Sequence, residues 1–187
     1  MSVYLSQDTI KYLENKVLTC KREICGEIVI DTNGIAHLSN EAIGQNINGR
    51  ELCDHQYRTP IIFHTHPLNT YSYPSIEDIN KVSKRLNYSC SIIASQWGIW
   101  QVYRLPGITK TIDIMEPKNH EKIIPYIRDL HYKTKLASNV SKPYDETTIR
   151  YIHRNIDYIN DNILGVYGTI IEITPWNKIS KGLKIHI

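Results

Sequence analysis

The stretch Ile61–Asp78, IIFHTHPLNTYSYPSIED, constrains the fold more than any other. Ile61, Ile62 and Phe63 form a short apolar run that reads as a buried strand and leads into His64-Thr65-His66. Successive side chains on a strand point to opposite faces, so His64 and His66 point the same way. Pro67 keeps His66 extended and, lacking an N–H, ends the ladder. A loop of Asn, Thr, Tyr and Ser follows. Pro74-Ser75 then opens a helix, with Ser75 as N-cap and Asp78 in the first turn. Two imidazoles at a strand end and one carboxylate at a helix start are three ligands on two rigid elements. That is the donor set of a catalytic zinc site, which keeps its fourth position for water. Singly, each piece has a plainer reading. A His-x-His on an apolar strand is usually structural, and Pro-Ser-Ile-Glu-Asp alone is an ordinary helix start with its acids against the dipole. The combination, joined by a loop short enough to return the helix start to the strand end, is what points to a metal.

The flanking sequence supplies a mixed sheet. Ser6-Gln7-Asp8 precedes a helix whose apolar stripe is Ile10, Leu13, Val17 and Leu18. Ile24 and Ile28–Ile30 suggest a strand, Asn33-Gly34 is a strong hairpin turn, and Ile35–Leu38 return. Residues 40–59 read as an irregular crossover. After Ser75, a helix places Ile76, Ile79, Val82 and Leu86 on one face. Ser91–Ser95 is a short buried strand, Ile99–Arg104 its partner, and Ile108–Met115 one more strand. The order is α, hairpin, β, α, β, β, which predicts a mixed sheet with helices packed on it.

From Pro117 the character changes. Two helices are expected, over 119–136 and 145–163, followed by strand-like VYGTIIEIT and LKIHI. The second helix carries Ile149, Ile152, Ile156, Ile159 and Ile163 at alternating spacings of 3 and 4. That stripe either packs on the chain's own core or forms a dimer or partner surface. The division expected is a core over 1–116 and a C-terminal helical extension with terminal strands over 117–187, packed on the core.

Bulk properties exclude several classes. The chain has 187 residues, short of the ~200 that a (β/α)8 barrel needs. That counts against the barrel hydrolases that also carry His-x-His after a strand. A net charge of +3 without a dense Lys/Arg run makes no electrostatic case for nucleic acid. No apolar run approaches the length of a membrane span, and the N-terminus lacks a signal peptide's apolar core. Cys20, Cys25, Cys53 and Cys90 are scattered without CxxC spacing and read as reduced thiols, which implies a cytoplasmic setting.

Three separated pieces together resemble a known family. Glu23 in REICGEI, His64-Thr65-His66-Pro67, and Ser75-Ile76-Glu77-Asp78 resemble the E-x-x-G, H-x-H-P and S-x-x-D pattern of the JAMM (MPN+) zinc metalloproteases. The family includes deubiquitinating isopeptidases. The resemblance runs from about Thr9 to Arg104, in the right order, with a loop one residue longer than the family's usual spacing. Strand–helix loops absorb such insertions readily. It implies a three-layer α/β/α MPN (JAB) fold around a curved mixed sheet. It implies Zn2+ held by His64, His66 and Asp78, Glu23 as general base, and Ser75 donating to the developing oxyanion. Strand parity leaves Glu27 as a rival to Glu23, and Glu77 neighbours Asp78. The family pattern selects Glu23, with Gly26, and Asp78. The remaining histidines (His37, His55, His120, His131, His153 and His186) have no such context.

The implied function is zinc-dependent hydrolysis of peptide or isopeptide bonds, with ubiquitin or ubiquitin-like conjugates as the leading substrates. The alternatives are a JAMM peptidase or amidase acting on something else, and a noncatalytic MPN scaffold module. A nucleic-acid role rests on fold analogy alone. Substrate or partner contacts, including homodimer formation, are expected of the C-terminal helices.

Overall fold

Strand β7 (Cys90–Ser95) is buried along its whole length, and its alternate side chains enter two different cores. Ile92 packs in the cluster that includes Ile10, Leu13 and Val17 of helix α1 (Gln7–Thr19). Ile93 packs in a second cluster with helices α2 (Ile76–Lys84), α3 (Pro117–Ser138) and α4 (Glu146–Ile159). Strands covered on both faces read as continuous apolar runs, as this one does. The computed structural model describes residues 3–47, 50–52, 57–68, 70, 72–138, 146–179 and 182–187.

The other strands are β1 (Val3–Leu5), β2 (Ile24–Ile30), β3 (Ile35–Ile43), β4 (Gln45–Ile47), β5 (Arg50–Leu52), β6 (Ile61–Thr65), β8 (Gly98–Arg104), β9 (Thr169–Pro175) and β10 (Leu183–Ile185). Eight of them form one sheet in the order β10-β1-β3-β2-β6-β7-β8-β9, and β4 pairs with β5 as a separate ribbon. β1 with β3, and β6 with β7, run parallel; every other pair in the large sheet is antiparallel. The molecule is therefore mixed α/β, with helices on both faces of a mixed sheet. The parallel β6–β7 pair requires a crossover, and α2 provides it. A ligand site belongs at the carboxyl end of such a strand, where the chain turns into the helix.

Several expectations are corrected. β1 was not foreseen, because three residues ahead of a helix carry too little periodicity. β3 extends to Ile43, well beyond Leu38. The segment 108–115 is not a strand; Ile112 and Ile114 are buried from an irregular chain. Leu86 lies past the end of α2 and is exposed, as is Leu18 at the end of α1. Cys25 is disulfide-bonded, whereas Cys20 and Cys90 are free. The reading of four reduced thiols, which rested on their separation in sequence, fails at Cys25; Cys53, like His55, lies outside the described residues.

Residues 117–187 share the sheet and both of its cores. β9 and β10 are its two edge strands. Ile152, Ile156, Ile159 and Ile163 are buried in the α2–α4 cluster, and Ile149 packs against it. The isoleucine stripe fills the chain's own core. Past Ile159 the helix loosens into a π turn over Asn160–Leu164. That turn presents Asn160 to the outer strand: its Nδ2 donates to Ile171 O at 2.8 Å, and Ile171 N donates to its Oδ1 at 2.9 Å. At the other edge the buried Gln101 does the same, donating to Lys184 O at 3.0 Å and accepting from His186 N at 3.2 Å. Each sheet edge thus meets a carboxamide that imitates a peptide group. Among the described residues, no helix is long and apolar enough to cross a membrane.

Candidate metal centre

Register brings the pieces together. β2 runs antiparallel to β6 with Cys25 opposite His64, Gly26 opposite Phe63 and Glu27 opposite Ile62. Continuing that register sets Glu23 beside His66 and leaves Glu27 four residues back along β6. At ~3.3 Å per residue, that is about 13 Å from the strand end. The ladder itself runs one step past β6, His66 N donating to Ala94 O at 2.7 Å. Thr65, between the two histidines, faces the other way, and its Oγ1 accepts the Ile24 N–H at 3.0 Å. The His-x-His triplet therefore also pins the start of β2, next to Glu23.

Gly26 explains the glycine of the E-x-x-G string. The β2–β3 register shifts between Cys25 and Glu27, where Asn40 has φ of 52°. A β-bulge of this kind crowds the facing strand. A Cβ on Gly26 would sit 2.6 Å from Ser39 O and 2.7 Å from Phe63 Cε1. Only glycine fits there.

The helix side is fixed by a capping box. Ser75 Oγ accepts from Asp78 N at 3.1 Å, while Asp78 Oδ2 accepts from Ser75 N at 2.9 Å and Ser75 Oγ at 2.7 Å. This locks the Asp78 rotamer. The loop ahead of α2 is held by Trp100, whose Nε1 donates to Ser72 O and Ser95 Oγ, each at 3.0 Å. The Ser75 hydroxyl is thus engaged in orienting Asp78. To serve an oxyanion it would have to turn away from that carboxylate.

His64, His66 and Asp78 are all buried and converge. His64 Nε2 lies 3.0 Å from His66 Nε2 and 3.3 Å from Asp78 Oδ1, and His66 Nε2 lies 3.5 Å from Asp78 Oδ2. Tetrahedral zinc with bonds near 2.0–2.1 Å needs donors about 3.3–3.4 Å apart. The observed spacings bracket that value, so the three residues could hold a metal ion. Burial alone would raise the Asp78 carboxyl, but the charges and hydrogen bonds of His64 and His66 outweigh it and hold the carboxyl well below the usual range.

Glu23 and Glu27 separate cleanly. Glu23 Oε1 is 3.8 Å from His66 Nε2, beside the triad and outside it. Glu27 is buried elsewhere. Its Oε1 accepts from the backbone N–H groups of Arg58 and Thr59, and its Oε2 from Asn40 Nδ2. Burial would raise its carboxyl, yet these hydrogen bonds bring it below the ordinary value. Glu77 is exposed, turned away from the cluster. Sequence reasoning missed Thr65 and Lys81. The Lys81 ammonium lies 4.0 Å from Asp78 Oδ1, and its i,i+3 spacing from Asp78 was legible.

Comparisons with models of known protein families, with characterised proteins and with solved structures find no match to this chain.

Proposed function

We propose that this chain is a zinc-dependent hydrolase of peptide or isopeptide bonds, of the JAMM (MPN+) kind and with that family's three-layer arrangement. Ubiquitin or ubiquitin-like conjugates are the leading substrate class. The observation that carries the reading is a carboxylate, Glu23, 3.8 Å from a ligand-type imidazole nitrogen of a buried His-His-Asp cluster. A hydrolytic metal site needs such a group, close enough to handle the proton of a water and not itself a ligand.

Bound by His64, His66 and Asp78, zinc would supply Lewis acidity and draw the pKa of its water toward ~7. Glu23, beside the ligands and not among them, would accept a proton from a nucleophilic water at Oε1 and hand it to the leaving nitrogen, so one side chain would serve as base and then acid. Ser75 fixes Asp78 in the resting arrangement. Rotated toward substrate, its hydroxyl would donate to the carbonyl oxygen, a contribution typically of ~10²–10³ in rate. Burial of both histidines keeps bulk water from competing for the donors.

Glu23→Gln tests the reading. Fold and metal content should persist, while cleavage of di-ubiquitin chains or a fluorogenic peptide falls by ~10²–10⁴. Full activity in this variant would contradict the assignment.

A further inference from the structure

Asp78 uses its two oxygens differently. Oδ2 accepts from the capping box, with Ser75 N at 2.9 Å and Ser75 Oγ at 2.7 Å, and also lies 3.5 Å from His66 Nε2. Oδ1 faces His64 Nε2 at 3.3 Å and the Lys81 ammonium at 4.0 Å. That distance is the outer limit of an ion pair and leaves the three N–H donors of Lys81 unsaturated by Asp78. The Lys81 side chain is 30% exposed, so solvent reaches part of it beside the buried Asp78. Glu77 stands four residues before it, the favoured helical partner, yet Lys81 lies toward Asp78. The exposed Lys21 and Arg22 directly precede Glu23, and the Arg22 guanidinium donates to Gly44 O.

We infer that Lys81 is a specificity residue whose ammonium receives an anionic side chain of the substrate next to the scissile amide, so that the site favours acidic peptide segments. This rests on the hydrolase reading of the same centre. With Asp78 engaged in holding a metal, a partly exposed ammonium 4.0 Å from it would lack a full counter-charge. A substrate carboxylate supplies one, and a substrate cation at that position is repelled.

The test measures binding apart from turnover. Two labelled peptides, identical except for Asp or Lys beside the amide to be cleaved, are titrated by fluorescence anisotropy against zinc-loaded Glu23→Gln protein. The Asp peptide should bind about tenfold more tightly, the scale of one charge-assisted contact. Added salt should narrow the gap. Lys81→Met in the same background should remove the preference, and Lys81→Glu should invert it, with zinc content unchanged in both. Equal binding of the two peptides, or a preference that survives Lys81→Met, overturns the inference. So does loss of zinc in Lys81→Met with both peptides weakened equally, because Lys81 would then only hold Asp78. A preference that depends on Lys81, found in a protein whose wild type cleaves neither peptide, supports the inference and removes the hydrolase reading alone.

Discussion

Glu23 and Glu27 are four residues apart, just before β2 and within it, and of the two Glu23 alone stands beside the His-His-Asp cluster. Removing Glu27 should cost stability. Its carboxylate accepts the Arg58 and Thr59 N–H groups and the Asn40 amide. A hydrogen bond to a charged group contributes ~1.5–3 kcal/mol, and donors stranded in a buried place cost a similar amount. Water can reach part of this set, and release of the buried charge offsets some of the loss. The net expectation for Glu27→Ala is about 3–4 kcal/mol, against about 5–15 kcal/mol for a whole domain. Glu27→Gln keeps an acceptor for the two backbone groups and should cost about 1–2 kcal/mol. With a urea m-value near 2 kcal/mol per M, the midpoint should fall by roughly 1.5–2 M for Ala and under ~1 M for Gln. The folded carboxyl lies below its ordinary value. Its stabilisation is therefore complete above the unfolded pKa of about 4.3 and is lost as the pH falls through the folded value. The gap between wild type and Glu27→Gln should be constant near neutrality and close in that acid window. Turnover per folded molecule should survive in Glu27→Gln. A Glu27→Gln protein as stable as wild type but inactive, beside a fully active Glu23→Gln, would refute the division of roles.

Ile152→Glu puts an unpaired charge into the fully buried α2–α4 cluster, at a cost of several kcal/mol; near-ultraviolet circular dichroism should lose its aromatic signature, and an unchanged melting curve would show that the stripe is not core. Gly26→Ala sets a methyl 2.6 Å from the Ser39 backbone oxygen, which has no flexible end to retreat. It should cost about 1–3 kcal/mol and weaken metal retention, read by competition with a chelating dye, because the strands of Glu23 and His64 are forced apart. Asn160→Ala removes both bonds to Ile171 and exposes the β9 edge; light scattering should show concentration-dependent association absent from wild type.

The grouping of His64, His66 and Asp78 was legible because it is local. Strand parity aligns His64 with His66, and an N-cap serine places Asp78 three residues on; both rules act within one element. The choice between Glu23 and Glu27 was not legible from the strand, since both share a face. It depends on the β2–β6 register and on the partners that Asn40, Arg58 and Thr59 supply to Glu27, all remote in sequence. Gly26 belonged to a pattern, but its cause lies in the bulge of the opposite strand. The isoleucine stripe declared an apolar face, and only the packing of α4 on the sheet shows what covers it. The segment 108–115 carried strand-like residues yet has no strand to pair with, because β9 arrives from the end of the chain to take the place beside β8. The Cys25 disulfide likewise joins residues by space and not by spacing.

Metal content is the most direct test of the central claim. Purified protein, exchanged free of loosely bound ions and analysed by mass spectrometry of its elements, should carry one zinc per chain. His64→Ala, His66→Ala and Asp78→Ala should each lose it while Glu23→Gln keeps it, in line with three ligands and one base beside them. Undiminished zinc in the folded His64→Ala protein, or a wild-type chain that binds no divalent metal at all, would contradict the account.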